Sequence, residues 1–417
     1  MFFNQARARA FMRECGLDAL IATSHVNITY FTGYFCWLDP TIRGYMLQPG
    51  APSSLALPGY AVFPLEGEPA LVLNPLFAIN GADLWVRDIH IFGDSGADQT
   101  LTSTELPDNY LRIHNLLMTP PQASTSLEAL VRILKKRGLQ DGCLGVEMEG
   151  LTADRLDQLR DQLPTASLLD CSNLIRLIRM VKNEHEVDGL TRSAEINERA
   201  GMEVLAEAAP GRSLQDLALR YRVLAAQQGA DFDHFCIGLG GLGMATEPDY
   251  DLTGDDVMMV DFGCIYQRCF SDTGTTLAMR ELPAPLMRRF EAVRASVAAG
   301  AARIRPGAKG SIVREAMWAT LQELGLTASY PHGHGVGLEV RDYPTIVADN
   351  GLRIRDECID VPSDLPLEEN MVFNLEASMF LPGVGSLQME RSFVVTADGF
   401  RDLIAQERSQ PFMPAQT

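Results

Sequence analysis

Residues 257–272 read VMMVDFGCIYQRCFSD, and the fold turns on how that stretch is parsed. The apolar run 257–260 reads as a buried strand that delivers Asp261. Gly263-Cys264 reads as a turn, and a return strand then brings up Asp272, eleven positions after the first acid. In such a hairpin two acids can lie side by side on neighbouring strands and point the same way. Two carboxylates held together in a core are costly unless positive charge lies between them, and a divalent metal meets that need.

Three further stretches belong with it. Residues 370–377, NMVFNLEA, place Glu376 at the end of an apolar strand, and residues 387–395, LQMERSFVV, place Glu390 inside another. Residues 330–344, YPHGHGVGLEVRDYP, carry His332 and His334 on either side of one glycine, amid further glycines that let backbone approach closely. Acids are seldom buried without partners. Asp261, Asp272, Glu376 and Glu390 together bring four negative charges, which two divalent ions neutralise. Oxygen-rich ligation with the one imidazole of His334 suits Mn, Fe, Co or Zn, and is unlike a structural zinc site, which prefers thiolates. Two such ions about 3.5–4 Å apart can share one water, lower its pKa and hold it for attack.

The rest of the chain divides in two. Residues 4–15 read as an amphipathic helix closed by Gly16, and strand patterns at 18–22, 60–63, 70–73 and 143–147 alternate with helical ones at 126–137 and 152–163. A small α/β domain is expected over 1–170. Past it, Asn183 with Glu186 forms a capping-box signal for a long helix over 184–209, and Ser213 with Asp216 repeats the signal for a helix over 213–228. Pro210-Gly211, a helix and Gly229 are echoed by Pro306-Gly307, a helix and Gly325, both at an offset of 96 residues. Two helix-helix-strand units around a shared centre predict an α+β domain over 171–417, with helices outside one curved sheet.

Composition narrows the partners. The 417 residues are 46% hydrophobic and 21% charged, which is the balance of a globular protein with large cores. A formal net charge of −19 argues against nucleic acid and anionic membrane as partners. No apolar run approaches the roughly 20 residues that span a bilayer. The first residues, MFFNQARARAFMREC, lack the apolar region and cleavage site of a signal peptide. The eight cysteines form no CxxC pair and lie scattered, often in apolar runs, so free thiols and a cytoplasmic location are expected.

The order VDFG…SD, GHGVG, NLEA and ME-x-x-x-VV resembles the ligand set of the creatinase/prolidase/methionine aminopeptidase superfamily, whose catalytic domain is the pita-bread fold. The similarity extends to the linker IRMVKNEHEV and to VNITYFTGY, so it covers nearly the whole chain in the two-domain prolidase/aminopeptidase P arrangement. The resemblance implies that Asp261 holds one ion, that His334 and Glu376 hold the other, and that Asp272 and Glu390 bridge them. It makes Glu376 the general base of a dinuclear hydrolase that cleaves a C–N amide bond, and it implies a homodimer. Creatinase itself works without metal, whereas this chain keeps all five ligands.

The departures fall on the substrate side. Where proline peptidases of the family carry a histidine ahead of the first metal aspartate, this chain has Met244. The histidine expected seven positions after His334 is Arg341, and the arginine expected two before Glu390 is Gln388. These changes open an alternative, in which the enzyme acts on a small solute as ectoine hydrolase, creatinase or dimethylsulfoniopropionate lyase do. A third reading is a binding protein that kept the fold without the activity. Arg341 either grips a substrate carboxylate or pairs with Asp342 or Glu339. His234 either donates a proton or is structural, and His332 serves either its loop or catalysis. Trp37 and Asp39 stand in a loop that in relatives reaches a neighbouring subunit's site.

Overall fold

The structure is a computed structural model that describes residues 2–36, 59–96, 98, 100, 105–327, 329–404 and 409–415. Trp37 and Asp39 lie outside the described residues. The chain forms two compact units, Met1–Ile178 with Ile354–Val361 and Arg179–Arg353 with Pro362–Thr417.

The first unit is built on a mixed sheet of β1 Ala19–Ala22, β2 Tyr60–Pro64, β3 Ala70–Leu73, β4 Asp88–Ile91, β5 Cys143–Val146 and β6 Ser167–Asp170, in the order β4-β3-β2-β1-β5-β6. Every residue of β1, β2 and β3 is buried, because these runs are apolar on both faces and must be covered on both. The helices are α1 Gln5–Cys15, α2 His25–Thr32, α3 Asp108–Met118, α4 Ser126–Lys136, α5 Ala153–Gln162 and α6 Ser172–Met180. Asn4 caps α1 by accepting from the Arg7 amide, and Gly16 ends it in the left-handed conformation that glycine adopts without strain.

The second unit repeats itself. Helices α7 Glu184–Ala206 and α8 Leu214–Gln227 precede β7 Asp231–Gly238, β8 Met244–Thr246, β9 Val257–Tyr266, β10 Cys269–Phe270 and β11 Thr273–Ala278. Helices α9 Ala284–Ala301 and α10 Gly310–Glu323 precede β12 Gly333–Gly335 and β13 Asp342–Ile346. After a two-stranded ladder, β14 Arg353–Arg355 with β15 Asp360–Pro362, come β16 Val372–Leu381, β17 Gly385–Thr396 and β18 Gly399–Asp402. The capping box of Asn183 and Glu186 forms in full. Ser213 caps α8 through the Gln215 amide, so Asp216 takes no part in that cap.

The expected single curved sheet is two sheets of five strands, one made of β7 to β11 and one ordered β13-β12-β16-β17-β18. Side chains join them. Thr276 Oγ1 donates to the Gln388 carbonyl at 3.0 Å and accepts from the Gln388 amide at 2.9 Å, and Ser386 Oγ accepts from the Met259 amide at 2.9 Å. The core under the first sheet packs Tyr221, Phe235, Phe262 and the apolar faces of α7 and α8. Gly201 in α7 is required there, since a Cβ would come within 2.2 Å of the Phe262 ring.

The turn expected at Gly263-Cys264 does not exist, because β9 runs straight through both residues. The chain reverses at Gln267 and Arg268, at φ 46° and 73°, between the paired Tyr266 and Cys269. Positive φ at both central residues matches the right-handed twist of a two-residue hairpin, so geometry rather than residue preference places the turn. Nor does Glu376 end its strand, for it sits mid-way along β16, directly opposite Glu390 on β17.

Candidate metal centre

The apolar residues 257–260 are buried along β9 and carry Asp261 to a position flanked by Gly274 on β11 and Cys236 on β7. Asp272 immediately precedes β11. On the other side β7 is irregular between Phe232 and His234, so that Asp233 is an extra residue in the strand. Such a bulge re-aims its neighbours. It brings Asp233 Oδ2 to 2.8 Å from His234 Nδ1, and His234 Nε2 to 3.1 Å from Asp261 Oδ1 and 3.4 Å from Asp272 Oδ1. Gly263 lies opposite His234, and a Cβ there would stand 2.4 Å from its ring.

The second sheet supplies the other half. His334 is central in β12, with its amide donating to Asn374 Oδ1 at 2.8 Å and its Nδ1 3.1 Å from the Gly335 carbonyl. Its Nε2 faces Asp272 Oδ2 at 3.4 Å. Asp272 thus stands between two imidazoles, one at each carboxylate oxygen. Asn374 shares the face of Glu376, two residues on, and its Nδ2 donates to Glu390 Oε1 at 2.6 Å and lies 3.0 Å from His334 Nε2. Glu390, 1% exposed, also accepts from Gln388 Nε2 at 3.1 Å, while Gln388 Oε1 has no hydrogen-bond partner among the described residues. Glu376 Oε1 lies 2.8 Å from His332 Nε2, and the two residues exchange main-chain hydrogen bonds.

The electrostatics record how crowded the acids are. Burial, only partly offset by His234, raises Asp261 to about 6. Burial pushes Asp272 up as well, but His234 and His334 outweigh it and hold that carboxyl far below its usual range. Glu390 is pushed well above its ordinary value by burial and then by Asp272, Asp261 and Glu376. Burial disfavours the charged form of His234, yet Asp233, Asp261 and Asp272 together raise it strongly. Among the described residues, His234, Asp261 and Asp272 offer ligand atoms that all lie within 4.8 Å of one another. Carboxylate oxygens and imidazole nitrogens converging in a buried space call for cations, so the donor set fits divalent metal.

The substrate-side candidates scatter differently. Arg341 is exposed, just ahead of β13. Neither neighbouring acid engages it: Glu339 pairs with Arg179, and Asp342 Oδ2 lies 3.1 Å from Arg179 and 3.8 Å from Lys182. Arg341 therefore makes no ion pair with a described residue, although its charge reaches His332 and opposes its protonation. Met244 opens β8 and is 53% exposed. Sequence reasoning missed Asn374 and Asp233. The two-residue spacing from Asn374 to Glu376 was a usable signal for the first, whereas the bulge that aims Asp233 leaves none.

Comparison with known proteins fixes the family. The pattern described as Metallopeptidase family M24 matches residues 188–397, and that described as Creatinase/Prolidase N-terminal domain matches residues 5–65 and 89–181. The chain belongs to metallopeptidase family M24. This M24 chain is 29% identical over 248 residues to a probable dipeptidase PepE of Mycobacterium tuberculosis, a match spanning 58% of this chain and 62% of that relative's length. It is 24% identical to an Xaa-Pro dipeptidase of Lactobacillus delbrueckii subsp. lactis over 99% of this chain and 100% of that one. Its fold matches an X-Pro aminopeptidase from Thermotoga maritima with a TM-score of 0.73 at 17% identity, covering 96% of this chain and 99% of that one. A prolidase from Pyrococcus furiosus matches at 0.68 and 18% identity, covering 96% and 100%. The fold is accordingly the α+β pita-bread fold with a smaller N-terminal domain, and membership of M24 implies divalent metal ions. No helix among the described residues is long and apolar enough to cross a membrane.

Proposed function

We propose that this chain is a dinuclear metal-dependent hydrolase that cleaves a C–N amide bond in a short peptide, as the names of its Xaa-Pro dipeptidase relatives suggest. The observation that carries the reading is Asp272, whose two oxygens face His234 and His334 at equal distances of 3.4 Å. A carboxylate so placed would be able to serve two ions. Asp261 would hold one ion, His334 and Glu376 the other, with Asp272 and Glu390 shared between them. When bound, divalent ions supply Lewis acidity and acidify the attacking water.

The chain's own groups do the rest. Glu376 accepts the proton of the attacking water and passes it to the leaving nitrogen. His332, in hydrogen-bond contact with Glu376, holds that carboxylate in place and is in turn kept by the Tyr330 carbonyl, 3.2 Å from its Nδ1. Gln388 and Asn374 fix the two oxygens of Glu390. The unpaired Arg341 guanidinium binds a substrate carboxylate, bidentate where geometry permits.

A second reading is favoured by the same substrate side. Met244 is exposed, Gln388 is buried and turned to Glu390, and Arg341 has no ion-pair partner among the described residues, so the imidazoles that flank a scissile proline amide are replaced. In that reading the substrate is a small carboxylated solute of the ectoine, creatine or sulfonium propionate kind. Two divalent ions of Mn, Co, Fe or Zn, a homodimer and a cytoplasmic setting complete the proposal in either form. Protein loaded with Mn or Co and offered Xaa-Pro dipeptides, longer Xaa-Pro peptides, creatine, ectoine and sulfonium propionates separates the two. Proline-peptide turnover selects the first, turnover of a solute alone selects the second, and activity with none refutes both. Glu376→Gln is expected to lower kcat by about 10²- to 10⁴-fold while the protein still takes up metal.

A further inference from the structure

We infer that His234 is itself a metal ligand, a sixth protein donor that gives each half of the centre its own imidazole. The inference rests on the dinuclear reading above and adds a residue to it.

Tautomer and space both point to ligation. Asp233 Oδ2, 2.8 Å away, is an acceptor only, so the proton of His234 sits on Nδ1 and donates to it. That leaves the Nε2 lone pair aimed at Asp261 Oδ1 and Asp272 Oδ1, 3.1 Å and 3.4 Å away. A lone pair facing two carboxylate oxygens is repulsive unless a cation lies among the three. Neighbouring donors around a six-coordinate ion with ~2.1 Å bonds stand ~3 Å apart, close to the separations found. A carboxylate on the far nitrogen of the imidazole is the usual support of a ligating histidine, fixing its tautomer and raising its basicity. His334 repeats the pattern with the Gly335 carbonyl in the carboxylate's place.

The backbone is shaped for this ring. The bulge at Asp233 turns acid and imidazole toward each other, and Gly263 vacates the space the ring occupies, where any Cβ would meet Cε1 at 2.4 Å. Among the described residues, His234, Asp261 and Asp272 are the set of three whose donors converge within 4.8 Å.

The rival arrangement is an imidazolium, in which a proton on Nε2 takes the place of one ion. Titration of the metal-free full-length protein with Mn²⁺ and Zn²⁺ by calorimetry, with X-ray absorption on the Zn-loaded protein, tells them apart. If His234 ligates, the wild type takes up two ions per chain with an average of one imidazole per ion. His234→Ala then weakens one of the two ions at least 10- to 100-fold and halves the imidazole count, and Asp233→Asn, which keeps His234, weakens the same ion about 10-fold. His234→Gln guards against a folding defect, since it fills the ring's space and must show the same loss. Unchanged affinity and imidazole count in these variants overturns the inference, as does tighter binding in His234→Ala, the mark of a competing proton. A wild type that takes up no ion overturns the dinuclear reading and this one together, whereas two ions indifferent to His234 sink this one alone.

Discussion

A single guanidinium carries the specificity argument. Glu339 and Asp342 flank Arg341 in sequence, and both are drawn instead to Arg179, which is 2% exposed. Burying Asp342 beside Arg179 and Lys182 holds its carboxyl below the ordinary range despite the cost of burial, so it has nothing left to offer an exposed neighbour. Arg341 is thus left without an ion-pair partner among the described residues, and its charge reaches His332. Arg341→Ala is expected to raise KM for a C-terminally free dipeptide by about 10- to 100-fold, with little change for its C-terminal amide. Steady-state kinetics on the acid and amide pair check this, and an equal loss on both would remove Arg341 from substrate recognition. Gly263 makes the complementary point about space. Gly263→Ala places a methyl 2.4 Å from the His234 ring and 2.6 Å from the Ser271 carbonyl, and the second of these is backbone and cannot swing away. The expected cost is about 1–3 kcal/mol in thermal unfolding, together with weaker metal uptake.

At the level of elements, the junction between α6 and α7 buries charge in an unusual way. Lys182 is 2% exposed, and its Nζ makes no hydrogen bond with a described residue. Glu186 completes the capping box of α7 from a buried position, and burial raises it to about 8. A folded carboxyl that keeps its proton where the unfolded one has lost it, above about pH 4.3, stabilises at low pH. That contribution fades as the pH climbs toward about 8. Relative to the wild type, Glu186→Gln should therefore gain stability between pH 5 and pH 8, by on the order of 5 °C in Tm. A constant offset across that range would exclude ionisation of Glu186 as the cause. The same junction shows what sequence makes legible. Asn183 and Glu186 announce their cap because a capping box is local, as Gly16 announces the end of α1. The turn at Gln267-Arg268 was illegible, since neither residue favours positive φ. Gly263 gave a false turn signal because its missing side chain makes room for a ring from another strand. The acids stood out because charge inside apolar strands is conspicuous and His334 because glycines surround it, but the pairings of Asp233 with His234 and of Asn374 with Glu390 depend on a bulge and on inter-strand register.

Across the whole molecule, four acids from two sheets meet where each sheet alone would bring only two, so the centre and the association of the sheets are energetically linked. Without metal, Asp261 at about 6 and the strongly raised Glu390 hold protons that the unfolded chain has released. His234, raised by its three acids, adds to this above about pH 6.5, where the unfolded imidazole is neutral. All three contributions are complete at low pH and are lost as the pH rises, so metal-free protein should become less stable from pH 5 to pH 8. Asp272 has the opposite sign, but its depressed carboxyl loses its contribution only below about pH 4, outside that window. Metal reverses the slope. Protons compete with ions for the same oxygens and nitrogens, so affinity rises with pH, and ions at 100-fold over Kd add about 2.7 kcal/mol of stability. Thermal unfolding of chelated and Mn-loaded protein should accordingly give curves of Tm against pH that lie close together near pH 5 and part steadily toward pH 8. Parallel curves would mean that the acids of the two sheets do not share their cations, and the dinuclear reading would fall with them.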